Sequence, residues 1–342
     1  MGAPGAHGYA HAVTDDHSDT TAQTSLDRPE DDEEQPRSAS GAPSGGTAVE
    51  DMLSADDIFR RVAATADDEF RRSPKNLFFS GIAAVLSIGV TFLARAALGA
   101  ETGTVGTLPG DLLYPIGFIL VVLGRYQLFT ENTLTPITLV LTRLASIPAL
   151  LRLWSIVVVA NLLGAGAVAW LFSTGDAMDP EIRAVADQLA SEALQQPLSL
   201  LFVRAVIAGV LVASMVWLVH AVREGIGRIV VVYLTMLLIP VAGLYHCITG
   251  FCEVFYGVLQ GEGSLGQAFG FFVASAAGNI LGGIALVAFI NYGQTGDNRF
   301  PNRQTAEHRL SSRELFVGFR TGSLDTKRIA PERDHAAEHH NG

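Results

Sequence analysis

The feature that most constrains this chain is an apolar stretch, about 112 to 143, that is too long for one membrane helix and is interrupted in its middle. A bilayer core takes roughly 20 helical residues. The centre of the stretch reads Leu123-Gly124-Arg125-Tyr126-Gln127-Leu128-Phe129-Thr130-Glu131-Asn132-Thr133-Leu134-Thr135-Pro136. A continuous lipid-facing helix would expose Arg125, Glu131 and Asn132 to hydrocarbon, where unsatisfied polar groups are costly. Broken backbone at membrane depth is tolerated only where it lines a cavity or packs inside protein. The stretch therefore reads as a discontinuous transmembrane helix, the device by which transporters place polar backbone at the bilayer midplane.

The rest of the chain fits an all-α polytopic membrane protein. Nearly all the apolar character lies between Leu77 and Tyr292, in six segments: about 77–98, 112–143, 150–172, 198–220, 229–259 and 266–292. Four regions follow. Residues 1–52 are an acidic, Ser/Gly/Pro-rich tail expected to be disordered and without the apolar core of a signal peptide. Residues 53–75 carry Ile58, Phe59, Val62, Ala66 and Phe70 at helical spacing behind a Ser54/Asp57 capping signal, an amphipathic helix expected to pack under the bundle. Residues 76–292 are the six-span domain, and 293–342 a second polar tail. The formal charge of −11 comes largely from the first tail and points to no nucleic-acid partner. Cys247 and Cys252 both fall inside an apolar segment, which is no disulfide framework.

Basic residues set the orientation. Arg60, Arg61, Arg71, Arg72 and Lys75 precede the first span, Arg143 and Arg152 join the second to the third, Arg223 and Arg228 the fourth to the fifth, and Arg299, Arg303, Arg309 and Arg313 follow the sixth. The intervening loops are acidic, with Arg183 their one base. The alternation predicts a multi-pass protein of the cell membrane with both ends cytoplasmic.

The fifth segment is also over-long and broken, at Pro240-Val241-Ala242-Gly243-Leu244-Tyr245-His246-Cys247-Ile248-Thr249-Gly250. Each broken segment is the middle one of three, and the last spans of the two groups match at Asn161-Leu162-Leu163-Gly164 and Asn279-Ile280-Leu281-Gly282. Thr130 stands before Asn161 at nearly the separation of Thr249 from Asn279. Two halves of three spans each must be inverted relative to one another, and matched broken helices mark the pore of such a repeat. Asn161 and Asn279 are candidates for pore lining or for close helix packing, since both are small polar residues on apolar helices.

Pro115-Ile116-Gly117-Phe118 through Leu128-Phe129-Thr130, Leu244-Tyr245-His246-Cys247-Ile248-Thr249-Gly250 and Gly278-Asn279-Ile280-Leu281-Gly282-Gly283 together resemble the second, fifth and sixth helices of the formate/nitrite transporter family. The resemblance covers Leu77 to Tyr292. It implies an aquaporin-like bundle with one pore per subunit, a homopentamer, and passage of small monovalent anions such as formate or nitrite, or of their neutral acids. Carried over, Thr130 and His246 match a facing pair at mid-pore, Tyr114 and Phe118 the bulky residues of one apolar constriction, and Ile239 one of the other. Departures are Gln127 for the family's acid, Glu131-Asn132 for small residues, Tyr245 for the residue before the histidine, Gly250 for the asparagine after it, and Gly209 for a fourth-helix asparagine. The Thr-Glu-Asn-Thr break marks a branch whose cargo the resemblance does not assign.

Intramembrane ionisable groups mark pathways by default, so His246 is the leading candidate, a proton partner for a weak acid by its ordinary pKa near 6.5. Arg125, Glu131 and Arg204 are charged at membrane depth, and Glu131 is expected to pair with one of the two arginines. Arg95 and Glu253, nearer helix ends, are expected to snorkel. No nucleotide loop, metal constellation or nucleophile motif is present, so neither an enzyme nor a cofactor is expected. The reading is a channel or proton-coupled transporter for a small anion or its acid. The alternatives are a pore for a neutral polar solute and a non-conducting scaffold closed by a Glu131–arginine bridge.

Overall fold

The helix starts are written in the caps. Ser54 and Asp57 form a capping box ahead of α1 (Ala55–Arg71). Ser73 accepts the Asn76 N–H ahead of α2 (Pro74–Thr102), and Ser146 the Ala149 N–H ahead of α6 (Ile147–Ser173), each with a proline in the first turn. The computed structural model describes residues 53–293 and 309–319; the tail 1–52 and most of the chain beyond 293 lie outside the described residues. Among the described residues there is no strand.

Four helices are long and apolar enough to cross a bilayer: α2, α6, α8 (Leu198–Ala221) and α11 (Leu265–Gly293). The two over-long segments are broken where the polar residues fall. The first yields α3 (Leu108–Asp111), α4 (Ile116–Gly124), an irregular stretch with a 3-10 turn at Glu131–Thr133, and α5 (Thr135–Leu141). α4 stops because Arg125 turns left-handed, with φ 53°, so that its N–H closes back on the Val121 and Val122 carbonyls. The second yields α9 (Gly225–Val241) and α10 (Cys247–Leu259), separated by a turn in which Gly243 has φ 63°.

α8 and α11 make the most extensive helix–helix contact, and glycine permits it: a Cβ at Gly209 would overlap the Asn279 backbone, and one at Gly282 the Val206 carbonyl. α1 lies against α5 and α8, burying Ile58, Phe59, Val62, Ala63, Ala66 and Phe70. The acid-rich stretch 173–197, expected as a loop, contains a further helix, α7 (Pro180–Leu194). It packs Ala186, Leu189 and Ala190 against α2 and α10. Near the C-terminus the Leu310 N–H donates to the Arg143 carbonyl at 2.8 Å ahead of α12 (Ser312–Val317). Phe79, Trp170, Leu234, Phe269 and Phe289 are each more than 60% exposed, an apolar belt that suits lipid or a second copy.

Candidate pore site

Two asparagines hold the two breaks in the same way. Asn161 Oδ1 accepts the Phe129 N–H at 2.9 Å, and its Nδ2 donates to the Gln127 carbonyl at 3.1 Å and the Gly81 carbonyl at 2.9 Å. Asn279 Oδ1 accepts the Cys247 N–H at 2.9 Å, and its Nδ2 donates to the Tyr245 carbonyl at 3.2 Å and the Ala205 carbonyl at 2.7 Å. The separations are identical, 32 residues to the amide and 34 to the carbonyl in both halves. Each side chain thus satisfies broken-helix backbone that hydrocarbon could not. Both asparagines are fully buried, and neither lines a cavity described below. This register pairs Leu128 with His246; the sequence comparison had paired Thr130 with Thr249, one residue out.

His246 caps α10. Its Nδ1 accepts the Thr249 N–H at 3.2 Å, and its Nε2 lies 2.6 Å from Thr130 Oγ1. A backbone amide can only donate, so Nδ1 carries the lone pair and the neutral ring has its hydrogen on Nε2, pointing at Thr130. A second proton would have to displace the cap at the positive end of a helix. In this arrangement the ring is neutral, with its N–H directed at Thr130.

Two cavities share no lining residue. The first, about 730 Å³, is lined by Arg61, Glu69, Arg72, Arg125, Gln127, Glu131, His220, Arg223 and Arg228 among others. Burial pushes the Glu69 carboxyl up to about 7, against the pull of the Thr135 hydroxyl, which donates to it at 2.7 Å, and of Arg72. The second, about 300 Å³, is lined by Arg95, Tyr114, Glu192, Arg204, His246, Thr249 and Glu253 among others. Phe118 and Ile239 are buried and line neither cavity. The Phe118 ring stands edge-on to His246 at 5.0 Å, and Tyr114 lies 5.6 Å from Phe118.

The charged candidates part company. Arg125 and Glu131 line the first cavity, whereas Arg204 lines the second and donates to Gln196 at 2.9 Å. The expected pairing is not made: Glu131 has no ion pair among the described residues, and its Oε1 is buried without a hydrogen-bond partner. Arg125 is solvent-exposed at the mouth, where water competes with any carboxylate. Asn132 turns inward: its Nδ2 donates to Gln127 Oε1 at 3.2 Å, and its carbonyl accepts from Trp154 at 3.1 Å.

Residues 56–293 match the family described as formate/nitrite transporter. The chain belongs to that family. Its members are channels and transporters, not enzymes. Over 260 residues the chain is 33% identical to the inner membrane protein YfdC of Escherichia coli, covering 74% of this chain and 82% of that one. It superposes on an FNT family ion channel with TM-score 0.61 at 19% identity, covering 70% of this chain and 99% of that one. A pentameric formate channel with formate bound gives TM-score 0.55 at 20% identity over 64% and 96%.

Several departures from the formate/nitrite transporter pattern have physical reasons. At Gly209 the α11 backbone occupies the place of any side chain. Gly250 leaves room for the Phe271 ring, on which Tyr245 stands edge-on at 5.7 Å. Two features escaped the sequence. One is α7, whose signal was Pro180 followed by Ile182, Val185, Ala186 and Leu189 at helical spacing; it brings Leu189 and Glu192 to the second cavity. The other corrects the expectation that Arg95 and Glu253 snorkel. Arg95 Nε donates to Asp111 Oδ1 at 2.6 Å and Nη1 to Glu253 Oε1 at 3.2 Å, with both carboxylates buried. No local periodicity links residues from three separate elements.

Proposed function

We propose that this chain is a channel for a small monovalent anion that crosses the middle of its pore as the neutral conjugate acid. The bundle is six-spanning, with two inverted halves whose middle helices are broken, and it assembles as a homopentamer. Both ends are cytoplasmic, so the cavity under α1 is the inner vestibule and the one under α7 the outer. A neighbour of the same fold, a pentameric formate channel with formate bound, supports the cargo class.

The observation that carries the reading is that the two cavities share no lining residue, while buried Phe118 and Ile239 line neither. The Phe118 ring stands edge-on to His246, whose Nε2 meets Thr130, and such apolar burial supports an apolar constriction between the vestibules. Taking a bare carboxylate-sized ion into such a layer costs several kcal/mol even after relaxation, and up to about 20 kcal/mol in the idealised limit. Protonating an acid of pKa about 4 at pH 7 costs about 4 kcal/mol. Protonation first is the cheaper route. His246, held neutral by its cap, then donates Nε2–H to Thr130 and so leaves the Thr130 hydroxyl hydrogen for the acid, without adding charge. The scaffold alternative has lost its closing device, because Glu131 forms no bridge to an arginine among the described residues.

A flux screen in proteoliposomes tests this. Formate and nitrite should pass, each carrying a proton inward with it, and urea should not. Passage of urea with exclusion of every weak-acid anion would overturn the reading in favour of a neutral-solute pore.

A further inference from the structure

The outer vestibule holds a charge imbalance that the passage of an acid can use. Arg95 of α2 lies between two carboxylates, Asp111 of α3 at 2.6 Å and Glu253 of α10 at 3.2 Å. The side chains are 14%, 1% and 5% exposed, so water does little to screen them. Asp111 Oδ2 is buried with no hydrogen-bond partner. The other charged side chains at the cavity are Glu192 of α7 and Arg204 of α8, and the titratable rings lining it are those of Tyr114, Tyr245 and His246. α11 carries no charged residue, and α6 only Arg152, which lies near the opposite end of the bundle. Glu192 is exposed to solvent and Arg204 half-buried, so the buried cluster stands by itself: with every group ionised, two carboxylates face one guanidinium, leaving one negative charge in excess. An uncompensated buried carboxylate is strongly disfavoured, and a proton is the smallest group that removes it.

We propose that Arg95, Asp111 and Glu253 form a proton-holding site, and that Glu253 hands its proton to the anion entering the outer vestibule. Glu253 is the donor because it lines the cavity, which Asp111 does not. The O–H bond of the Glu253 carboxyl breaks, an O–H bond forms on the anion, and the electron pair stays on Glu253. The neutral acid moves on past Tyr114 and Phe118, and water in the vestibule reprotonates Glu253. An anion arriving at the protonated cluster meets a neutral site with Arg204 beside it. The departing acid leaves a negative one that repels return. His246 cannot take this role while its Nδ1 accepts the Thr249 amide. The inference rests on the weak-acid reading above.

The test is formate uptake by proteoliposomes of the full chain carrying a pH dye inside, with outside pH stepped from 5 to 8. In the parent, uptake should hold a plateau well above the pKa of the acid. In Glu253→Gln the plateau should vanish, with uptake falling about tenfold per pH unit as the acid's own protonated fraction does, and at least tenfold below the parent at pH 7. Asp111→Asn, which leaves Glu253 in a one-to-one pair with Arg95 and so ionised, should lose the plateau as well. Glu253→Asp should keep it. A parental pH profile in Glu253→Gln overturns the donor assignment, and should that variant not assemble, a parental profile in Asp111→Asn does so. A parent with no anion flux at all would instead mark failure of the channel reading.

Discussion

At the scale of single residues the pore separates groups that hold charge from groups that avoid it. His246 spends one ring nitrogen on the α10 cap and points the other at Thr130, so its contribution is a neutral hydrogen bond. Among the described residues Glu131 forms no ion pair with the arginines of its cavity, and it leaves one oxygen unpartnered. Its carboxylate therefore adds desolvation without Coulombic return. Glu131→Gln should accordingly be at least as stable as the parent in detergent, by up to about 2 kcal/mol. A loss of about 3–5 kcal/mol on thermal unfolding would mean that a buried cation had been left alone. The polar break around Glu131 could be read from the sequence, because hydrocarbon forbids it in an ordinary span. Its partner could not, because the side chains that share a vestibule come from elements far apart in the chain. For the same reason Arg95 and Glu253, separated by 158 residues, looked like two helix-end charges and are one cluster.

At the scale of elements, the two breaks depend on borrowed hydrogen bonds. Asn161→Ala or Asn279→Ala would strip one amide and two carbonyls of their partner, at about 1–3 kcal/mol for each group left unsatisfied. Both variants should lose at least about 3 kcal/mol, and by similar amounts, in thermal unfolding of the detergent-solubilised protein. Unchanged stability with altered anion preference would make them pore residues instead. The sequence matched these asparagines through the repeat but left their role open between lining and packing, since the apolar pattern does not say which way a side chain turns.

α1 is tied to the break through Glu69 and Thr135, and its carboxyl gives that contact a pH signature. Because the folded value is raised to about 7, the folded state binds the extra proton between about 4.5 and 7. Its stability should be highest below that window and decline as pH rises through it, by at most about 3 kcal/mol. Glu69→Gln should flatten the decline in melting temperature between pH 5 and 8. A slope unchanged by the substitution would remove Glu69 as its source.

At the scale of the molecule, two polar cavities share no lining residue, and in the proposed channel a short apolar layer lies between them. In the proposed mechanism nothing charged crosses that layer. The direct measurement is steady-state accumulation of labelled formate in proteoliposomes whose membrane potential is set by a potassium gradient with valinomycin. Potential is varied at fixed pH, and pH gradient at zero potential. A monovalent anion crossing bare would redistribute about fiftyfold per 100 mV, the equivalent of about 2.3 kcal/mol. Accumulation should follow the pH gradient and ignore the potential. Accumulation that follows the potential and ignores the pH gradient would contradict it.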